Sequence, residues 1–212
     1  MLGPPGAGKG TQAGRLAAEV RAVHLSSGDI LRAERAARSP LGRQAQAYMD
    51  GGTLVPDELV LEMMANRIES PEAQNGFVLD GFPRTIPQAR GLDECLERLG
   101  RPIDRVINID AADEVVAPRL TGRWSCPVDG RVYHDMFSPP ARAGKCDECG
   151  AALVRRKDDE PAVVRQRLAT YHGQTKPLIE YYRQRGVLAT VDGNADIGAV
   201  FASVCAAVRG IG

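Results

Sequence analysis

The stretch that decides the fold runs Gly3-Pro4-Pro5-Gly6-Ala7-Gly8-Lys9-Gly10-Thr11, and a helical pattern of apolar residues begins directly after it. Glycines in such a loop allow backbone N–H groups to point inward at anionic oxygens, and the positive end of the following helix adds to the attraction. Lys9 can reach the outer phosphates of a bound nucleotide. The stretch therefore predicts a phosphate-binding loop that holds a nucleoside triphosphate.

This loop departs from the usual pattern G-x-x-x-x-G-K-[ST] at one position. Gly3, Gly8 and Lys9 fit the pattern, but Gly10 occupies the position of the hydroxyl residue and Thr11 follows it. In the usual loop that hydroxyl contacts magnesium. The pattern alone therefore does not predict a direct contact between the Thr11 hydroxyl and the metal.

The segment before the loop is short. A phosphate loop normally follows a buried strand of about five residues, whereas only Met1 and Leu2 precede Gly3 here. We expect the native chain to begin upstream of Met1. A curtailed central strand, with some loss of stability, is the alternative.

Length and composition indicate one globular domain. A chain of 212 residues can bury one good core and carry small inserted modules. The 27 basic and 27 acidic residues balance, and 43% hydrophobic with 25% charged residues is an ordinary globular composition. No apolar run approaches the roughly 18 residues of a membrane span. These features predict a cytoplasmic protein with neither a membrane nor a nucleic-acid partner.

Strand and helix patterns alternate along most of the chain. We predict strands at 22–25, 77–80, 105–110 and 187–191, in addition to the strand before the loop. We predict helices at 10–20, 30–38, 41–49, 57–68, 85–99, 113–122 and 197–208, and helical pattern from 161 through 172 and again through 185. Thr85 is a candidate cap of the helix at 85–99. Such alternation predicts an α/β fold, a doubly wound parallel five-stranded sheet with helices on both faces. Residues 123–157, rich in Pro, Gly and Cys, interrupt the pattern as an inserted module.

Candidate binding residues follow the strand at 77–80, an apolar run that ends in Asp80. Open parallel sheets bind ligands at the edge where their strands end. Asp80 is a candidate magnesium anchor, with capping of the next turn as its alternative role. Gly81 allows close approach of the backbone, and Arg84 offers a bidentate fork for phosphate.

Other polar residues extend this candidate site. Gln88 lies one helical turn after Arg84, where its amide can pair with a donor and an acceptor on a purine edge. Taken alone, a glutamine on a helix is usually solvated, and Arg32 is more often a surface residue. Together with Ser27, these residues favour a second, acceptor nucleotide opposite the phosphate loop.

The chain resembles the adenylate kinase family in its phosphate loop and in the stretches 25–32, 50–60 and 80–88, which follow in the same order and spacing. This resemblance extends from Gly3 to the last strand. It implies reversible, magnesium-dependent phosphoryl transfer from ATP to AMP, giving two ADP. Ser27 stands where many members have Thr, and Thr53 where many have Lys, but Thr85-Ile86-Pro87-Gln88 points to an adenine acceptor. UMP, CMP or GMP as the acceptor is the close alternative.

The resemblance also implies which residues form the two nucleotide sites. Those implied to bind ATP are Gly6, Ala7, Gly8, Lys9, Gly10, Thr11, Arg119, Arg123, Val132, Tyr133 and Ala195. Those implied to bind AMP are Ser27, Arg32, Thr53, Leu54, Val55, Gly81, Phe82, Pro83, Arg84, Gln88, Arg156 and Arg167. Those implied to take part in catalysis are Lys9, Asp80, Arg84, Arg119, Arg123, Arg156 and Arg167.

Two insertions are expected within a core that spans residues 1–212. A small helical AMP-binding insertion covers 26–55, and a lid covers 122–159. Arg119 and Arg123, four residues apart, are expected on one helix face. No extended apolar stripe demands a partner, so we expect a monomer.

The inserted module carries a metal-binding pattern, Cys126-x2-Asp129-x16-Cys146-x2-Cys149. Two such knuckles can close on one tetrahedral zinc ion, and four protein ligands make that ion structural. The pattern is similar to the lid of zinc-bearing adenylate kinases. Asp129 is the expected fourth ligand, with His134 as the alternative, and free thiols in a cytosolic loop are the alternative for the cysteines.

A different class of protein also fits part of the pattern. Basic residues outnumber acidic ones between 119 and 157, and a basic zinc ribbon can bind nucleic acid. Against this interpretation, few aromatic residues are present for stacking on bases, and the whole chain is neutral. A lid that closes over polyphosphate explains more of the arginines.

Overall fold

The computed structural model describes residues 1–210. The strands are β1 (Val23–Ser26), β2 (Phe77–Asp80), β3 (Val106–Asp110), β4 (Arg123–Ser125), β5 (Val132–His134) and β6 (Leu188–Asp192). The α-helices are α1 (Lys9–Glu19), α2 (Ser27–Ala36), α3 (Pro40–Gly51), α4 (Asp57–Ile68), α5 (Ile86–Arg98), α6 (Asp113–Thr121), α7 (Pro161–Thr170), α8 (Pro177–Gln184) and α9 (Ile197–Arg209). Within residues 1–210, no helix is both long and apolar enough to cross a membrane.

The sheet is parallel, as predicted, but its middle strand is very short. β1 pairs with β2 and β3 pairs with β6, each in parallel register. The backbone nitrogen of Met1 donates to the Leu79 carbonyl at 2.9 Å, and Leu2 exchanges hydrogen bonds with Ile107 and Ile109 at 2.7 and 2.9 Å. The order across the sheet is thus β1, β2, residues 1–2, β3, β6. Residues 1–2 thus occupy the place of the predicted fifth strand.

The core consists of apolar clusters on the two faces of the sheet. One cluster joins Ile107, Ile109 and Val191 of the strands to α1, α6, α7 and α9. A second cluster joins Leu25 to α4 and α5 through Met64 and Leu92. The strands are flanked by helices on both sides and are consequently rich in apolar residues, as expected for a doubly wound sheet.

Side-chain caps define where several helices begin. The Ser26 hydroxyl accepts from Asp29 N at 3.3 Å and starts α2. Thr85, predicted as a cap, accepts from Gln88 N at 3.1 Å and starts α5. Such caps satisfy backbone N–H groups that have no partner within the helix. The two helical stretches predicted between 161 and 185 are α7 and α8, and a π-helical turn, Tyr171–Thr175, joins them.

The segment predicted as the lid, 122–159, contains a short strand pair and a small apolar cluster of its own. β4 and β5 form an antiparallel pair, and the lid has its own apolar cluster of Cys126, Tyr133, Cys146 and Leu153. The prediction that Arg119 and Arg123 share a helix face was wrong. α6 ends at Thr121, and Arg123 starts β4 because its backbone pairs with that of His134.

Candidate active site

The phosphate loop requires glycine at two positions for steric reasons. Gly3 has φ +134°, and a Cβ there would lie 2.3 Å from the Ile109 carbonyl oxygen. Gly6 has φ +86°, and a Cβ there would lie 2.7 Å from the Val116 carbonyl oxygen. Both conformations are unfavourable for other residues. The close packing of the loop on β3 and α6 fixes its backbone at the carboxyl edge of the sheet.

Lys9 is folded back onto this loop. Its Nζ donates to the carbonyl oxygens of Gly3 at 2.7 Å and Pro4 at 2.8 Å. The residue is half-buried overall, but its amine lies among protein groups. This removal from water lowers the pKa of Lys9 to about 7, although the nearby Asp80 charge opposes the change. An anion in the loop would favour the charged form.

Asp80 lies at the end of β2, facing the start of α1. His24 Nε2 is 3.5 Å from Asp80 Oδ2. Burial alone would raise the pKa of Asp80, but the contact with His24 and the charge of Lys9 outweigh it and hold that pKa below its ordinary value. A Cβ at Gly10 would lie 3.2 Å from Asp80 Oδ2. Glycine at that position therefore lets the carboxylate approach the loop.

The segment after β2 holds Arg84 next to Ser27, the first residue of α2. Ser27 Oγ donates to the Gly81 carbonyl at 2.6 Å, and Arg84 Nε donates to the same oxygen at 2.7 Å. Thr175, in the π-helical turn, donates its hydroxyl proton to the Arg84 carbonyl at 2.8 Å. Burial, together with the charge of Arg167, lowers the pKa of Arg84 to about 10. The π-helical turn thus supports a predicted site residue.

Asp158 and Asp159, which the sequence analysis did not predict as site residues, form ion pairs with predicted site arginines. Asp159 accepts from Arg123 Nε at 2.8 Å and Nη2 at 2.5 Å, and from Arg167 Nη1 at 3.0 Å. Arg167 also pairs with Asp158 Oδ2 at 2.9 Å. Arg156 donates to Ser125 Oγ at 2.7 Å, and burial, followed by the charges of Arg123 and Arg32, lowers the pKa of Arg156 to about 9.

The remaining predicted residues fall into distinct places. Arg119 donates to the Gly193 carbonyl at 2.8 Å, close in sequence to Ala195, while its guanidinium carbon is 6.0 Å from the Phe137 ring. Arg32 pairs with Asp29 at 2.5 Å. Val132 is exposed, as is Thr53, whereas Leu54 is half-buried and Val55 and Phe82 lie in the core.

Tyr133 was expected near ATP, but its side chain packs inside the lid. Its hydroxyl lies 3.4 Å from Cys146 Sγ and accepts from Asp147 N at 2.8 Å. Only 4% of the residue is exposed. The backbone of Tyr133 is therefore the part that can face a nucleotide.

The predicted metal ligands meet in the lid. The ligand atoms of Cys126, Asp129, Cys146 and Cys149 all lie within 4.8 Å of one another. Cys126 Sγ is 3.4 Å from Cys149 Sγ, and Cys146 Sγ is 3.1 Å from Asp129 Oδ2. Hydrogen bonds from Arg131 N and Cys146 lower the pKa of Asp129. Three thiols and a carboxylate at these separations fit one tetrahedral ion.

His134, the alternative fourth ligand, is engaged elsewhere. Its Nδ1 accepts from Met136 N at 3.0 Å, and its Nε2 lies 3.4 Å from the Pro118 carbonyl. His134 therefore holds the turn after β5 against the end of α6. It does not belong to the metal-ligand cluster found among the described residues.

Comparison with known proteins places this site in a family. The family model described as adenylate kinase matches residues 1–187. The chain is 50% identical over 204 residues to a protein named adenylate kinase from Agathobacter rectalis, covering 96% of this chain and 95% of that protein. It is 49% identical over 210 residues to an adenylate kinase from Brevibacillus brevis, covering 99% and 98% of the two chains. The chain belongs to the adenylate kinase family and is a nucleoside monophosphate kinase, a phosphotransferase.

Proposed function

We propose that this chain transfers a phosphoryl group reversibly from ATP to AMP, giving two ADP, across the carboxyl edge of its sheet. The observation that carries this proposal is the convergence of arginines beside the phosphate loop. Arg167 acts on the pKa of Arg84, and both Arg123 and Arg32 act on the pKa of Arg156. Asp158 and Asp159 already offset part of this positive charge, and a bound polyphosphate would offset more of it.

The chain's own residues account for binding and alignment. The backbone from Gly6 to Thr11 and the amine of Lys9 would hold the triphosphate of ATP. Arg32 and Arg84 would hold the AMP phosphate, with Ser27, Gly81 and the backbone of residues 53–55 and 82–83 around the nucleoside. Direct phosphoryl transfer needs alignment and charge neutralisation more than covalent help, so these roles suffice.

Lid residues would complete the donor side. Arg119, with Val132, Ala195 and the backbone of Tyr133, would lie against ATP. Arg123, Arg156 and Arg167 would face the transferred phosphate. Arg123 and Arg167 are already ordered by Asp159 at 2.5 to 3.0 Å. Prior ordering of these side chains reduces the entropy that is lost when substrate binds.

Magnesium accompanies ATP in adenylate kinase chemistry, and Asp80 fits as its anchor. Carboxylate oxygens are preferred magnesium ligands, and the pKa of this carboxyl is held below its ordinary value. When bound, magnesium would neutralise charge on the terminal phosphates. His24, which lies against Asp80, would keep the carboxylate in place.

We propose that the lid, 122–159, and the AMP-binding insertion, 26–55, are distinct units of the core domain 1–212. A structural zinc ion would be held by Cys126, Asp129, Cys146 and Cys149, whose converging atoms fit its donor preference. All ligands come from the protein, so zinc would stabilise the lid and take no part in transfer. We propose a monomer located in the cytoplasm.

The test is ADP production from ATP with AMP, GMP, CMP or UMP as the acceptor, with zinc measured in the same sample. We expect activity to be highest with AMP and one zinc ion per chain. A preference for another acceptor would overturn the substrate assignment.

Two variants test whether Arg84 binds the acceptor nucleotide. Arg84→Ala should raise the KM for AMP far more than that for ATP. Arg209→Ala is the matched control, since Arg209 pairs with Glu19 on the exposed surface. Equal effects of the two substitutions would contradict the role of Arg84.

A further inference from the structure

A carboxylate outside the predicted site holds the side chain that we propose to read the acceptor base. Asp57 is the first residue of α4. Its Oδ1 accepts from Gln88 Nε2 at 2.8 Å, and its Oδ2 accepts from Thr85 Oγ1 at 2.9 Å. Gln88 is only 1% exposed. Asp57 therefore connects the start of α4 to both the cap and the first turn of α5.

The other end of the Gln88 amide is also held. Arg84 N donates to Gln88 Oε1 at 2.8 Å. A backbone N–H can only donate, and both oxygens of Asp57 accept, so the two partners determine which end of the amide is oxygen and which is nitrogen. Rotating the amide by 180° would place a donor against a donor and an acceptor against an acceptor. The amide thus has a single allowed orientation.

This orientation leaves a defined pattern for a ligand. One N–H of Nε2 and one lone pair of Oε1 on Gln88 remain for further hydrogen bonds. The edge of adenine presents an amino donor at N6 and an acceptor at N1. A 6-oxopurine presents the reverse, an acceptor at O6 and a donor at N1. A freely rotating amide can satisfy either base, whereas a fixed one favours a single order.

We propose that Asp57 is a positioning residue that fixes the Gln88 amide and thereby makes the acceptor site prefer adenine over 6-oxopurines. This inference rests on the proposed role of Gln88 at the AMP base. Asp57 acts through Gln88 and need not touch the substrate.

A purely structural role is the competing explanation. Asp57 stands in the first turn of α4 together with Glu58, and acidic residues there stabilise a helix through its dipole. Glu58 is exposed on the same turn. Glu58→Gln therefore removes the same charge from the same helix end without touching Gln88, which makes it the matched control.

The experiment measures kcat/KM for AMP and for IMP at saturating ATP. The two acceptors share ribose and phosphate and differ only at the purine edge. In Asp57→Asn, the new amide can turn its NH2 toward Gln88, so that Asp57 no longer opposes the reversed orientation and only the contact with Arg84 N does. We expect the AMP-to-IMP ratio to fall about ten-fold, as the change of one or two hydrogen bonds predicts, with KM for ATP unchanged. Glu58→Gln should keep the wild-type ratio.

Further variants distinguish a failure of the inference about Asp57 from a failure of the proposed role of Gln88. Thr85→Val removes the helix cap but keeps the bond between Asp57 and Gln88, so it should lower stability and keep the ratio. If Asp57→Asn does not fold, Asp57→Ser, which retains a good residue for a helix start, replaces it. A lower rate with both acceptors at an unchanged ratio in the Asp57 variant would overturn the inference. Gln88→Leu tests the proposed function itself: an unchanged ratio there would show that Gln88 does not read the base.

Discussion

The core and the lid of this protein achieve order by different means. The core buries apolar clusters on both faces of a parallel sheet. The lid has one small cluster of Cys126, Tyr133, Cys146 and Leu153, and two of these four residues are also candidate metal ligands. Burial of apolar surface stabilises a fold in proportion to the buried area. The lid buries little, and we therefore expect its order to depend on a metal ion held by the ligand cluster.

This difference has a functional side. The phosphate loop is held by close backbone packing of the core, as the contacts of Gly3 and Gly6 show. Arg123 of the lid pairs with Asp159, and Arg167 of α7 pairs with both Asp158 and Asp159. The phosphate loop is thus held by backbone contacts of the core, whereas these arginines are held by side-chain ion pairs that single substitutions can remove.

Removal of the proposed metal ion should have the largest effect, because it should unfold the lid and leave the core folded. A chelator that strips the lid should unfold residues 122–159 while the core keeps its secondary structure, because small metal-bound modules rely on the metal for folding. Limited proteolysis should then cut within the lid. Far-UV circular dichroism should change little.

A matched pair of cysteine variants controls for this effect. Cys146→Ser should reproduce the chelator result, since Cys146 belongs to the cluster. Cys205→Ser, at a buried position in α9, should leave lid proteolysis at the wild-type level. Chelation that leaves the lid resistant to protease would show that apolar packing alone sustains it.

Loss of Lys9 should affect chemistry without affecting either region's fold. Lys9→Ala removes the amine that is bonded to Gly3 and Pro4 and should lower kcat on the order of 10³-fold, the typical effect of losing a charge stabiliser in a closed site. Coupled assays and thermal unfolding measure both properties. Lys145→Ala, on the exposed surface of the lid, is the control. Wild-type turnover of Lys9→Ala would refute the role of Lys9.

Much of the core could be predicted from sequence because its signals are local. Glycine spacing identified the phosphate loop, and apolar runs that end in polar residues identified β2 and β3. The cap at Thr85 was equally local. The metal cluster was predictable because ligand spacing within each knuckle is a local constraint.

The remaining features depend on contacts distant in sequence. His24 meets Asp80 only because β1 and β2 pair in a particular register. Asp57 reaches Gln88 across two helices. The prediction that Arg119 and Arg123 share a helix face failed because pairing between β4 and β5 competes with helix continuation at Arg123. Local patterns carry no information on such competition.

The third prediction concerns the ion pairs of Asp159 and a smaller effect, a loss of stability. Asp159→Ala would leave Arg123 and Arg167 without their shared buried partner. It should lower the free energy of unfolding by about 3 kcal/mol, as expected when one side of a buried pair is removed. Urea unfolding measures the change. Asp135→Ala, which breaks an exposed pair with Arg155, should have a much smaller effect. Equal losses would show that Asp159 is effectively solvated.

The last expected effect is a pH dependence that arises in the core. The folded protein holds the pKa of Lys9 at about 7, against an ordinary value of 10.5. Between these two pH values the unfolded chain binds a proton that the folded chain does not, so the free energy of unfolding should rise with pH across this window. Below this window Lys9 is charged in both the folded and the unfolded state, and above it Lys9 is neutral in both.

Urea midpoints of the substrate-free protein, measured from pH 7 to 10 against Lys9→Met, isolate this contribution because the titrating lid thiols are common to both proteins. The wild-type protein should gain stability relative to the variant as pH rises. Parallel curves would mean that the Lys9 amine stays hydrated in the empty loop.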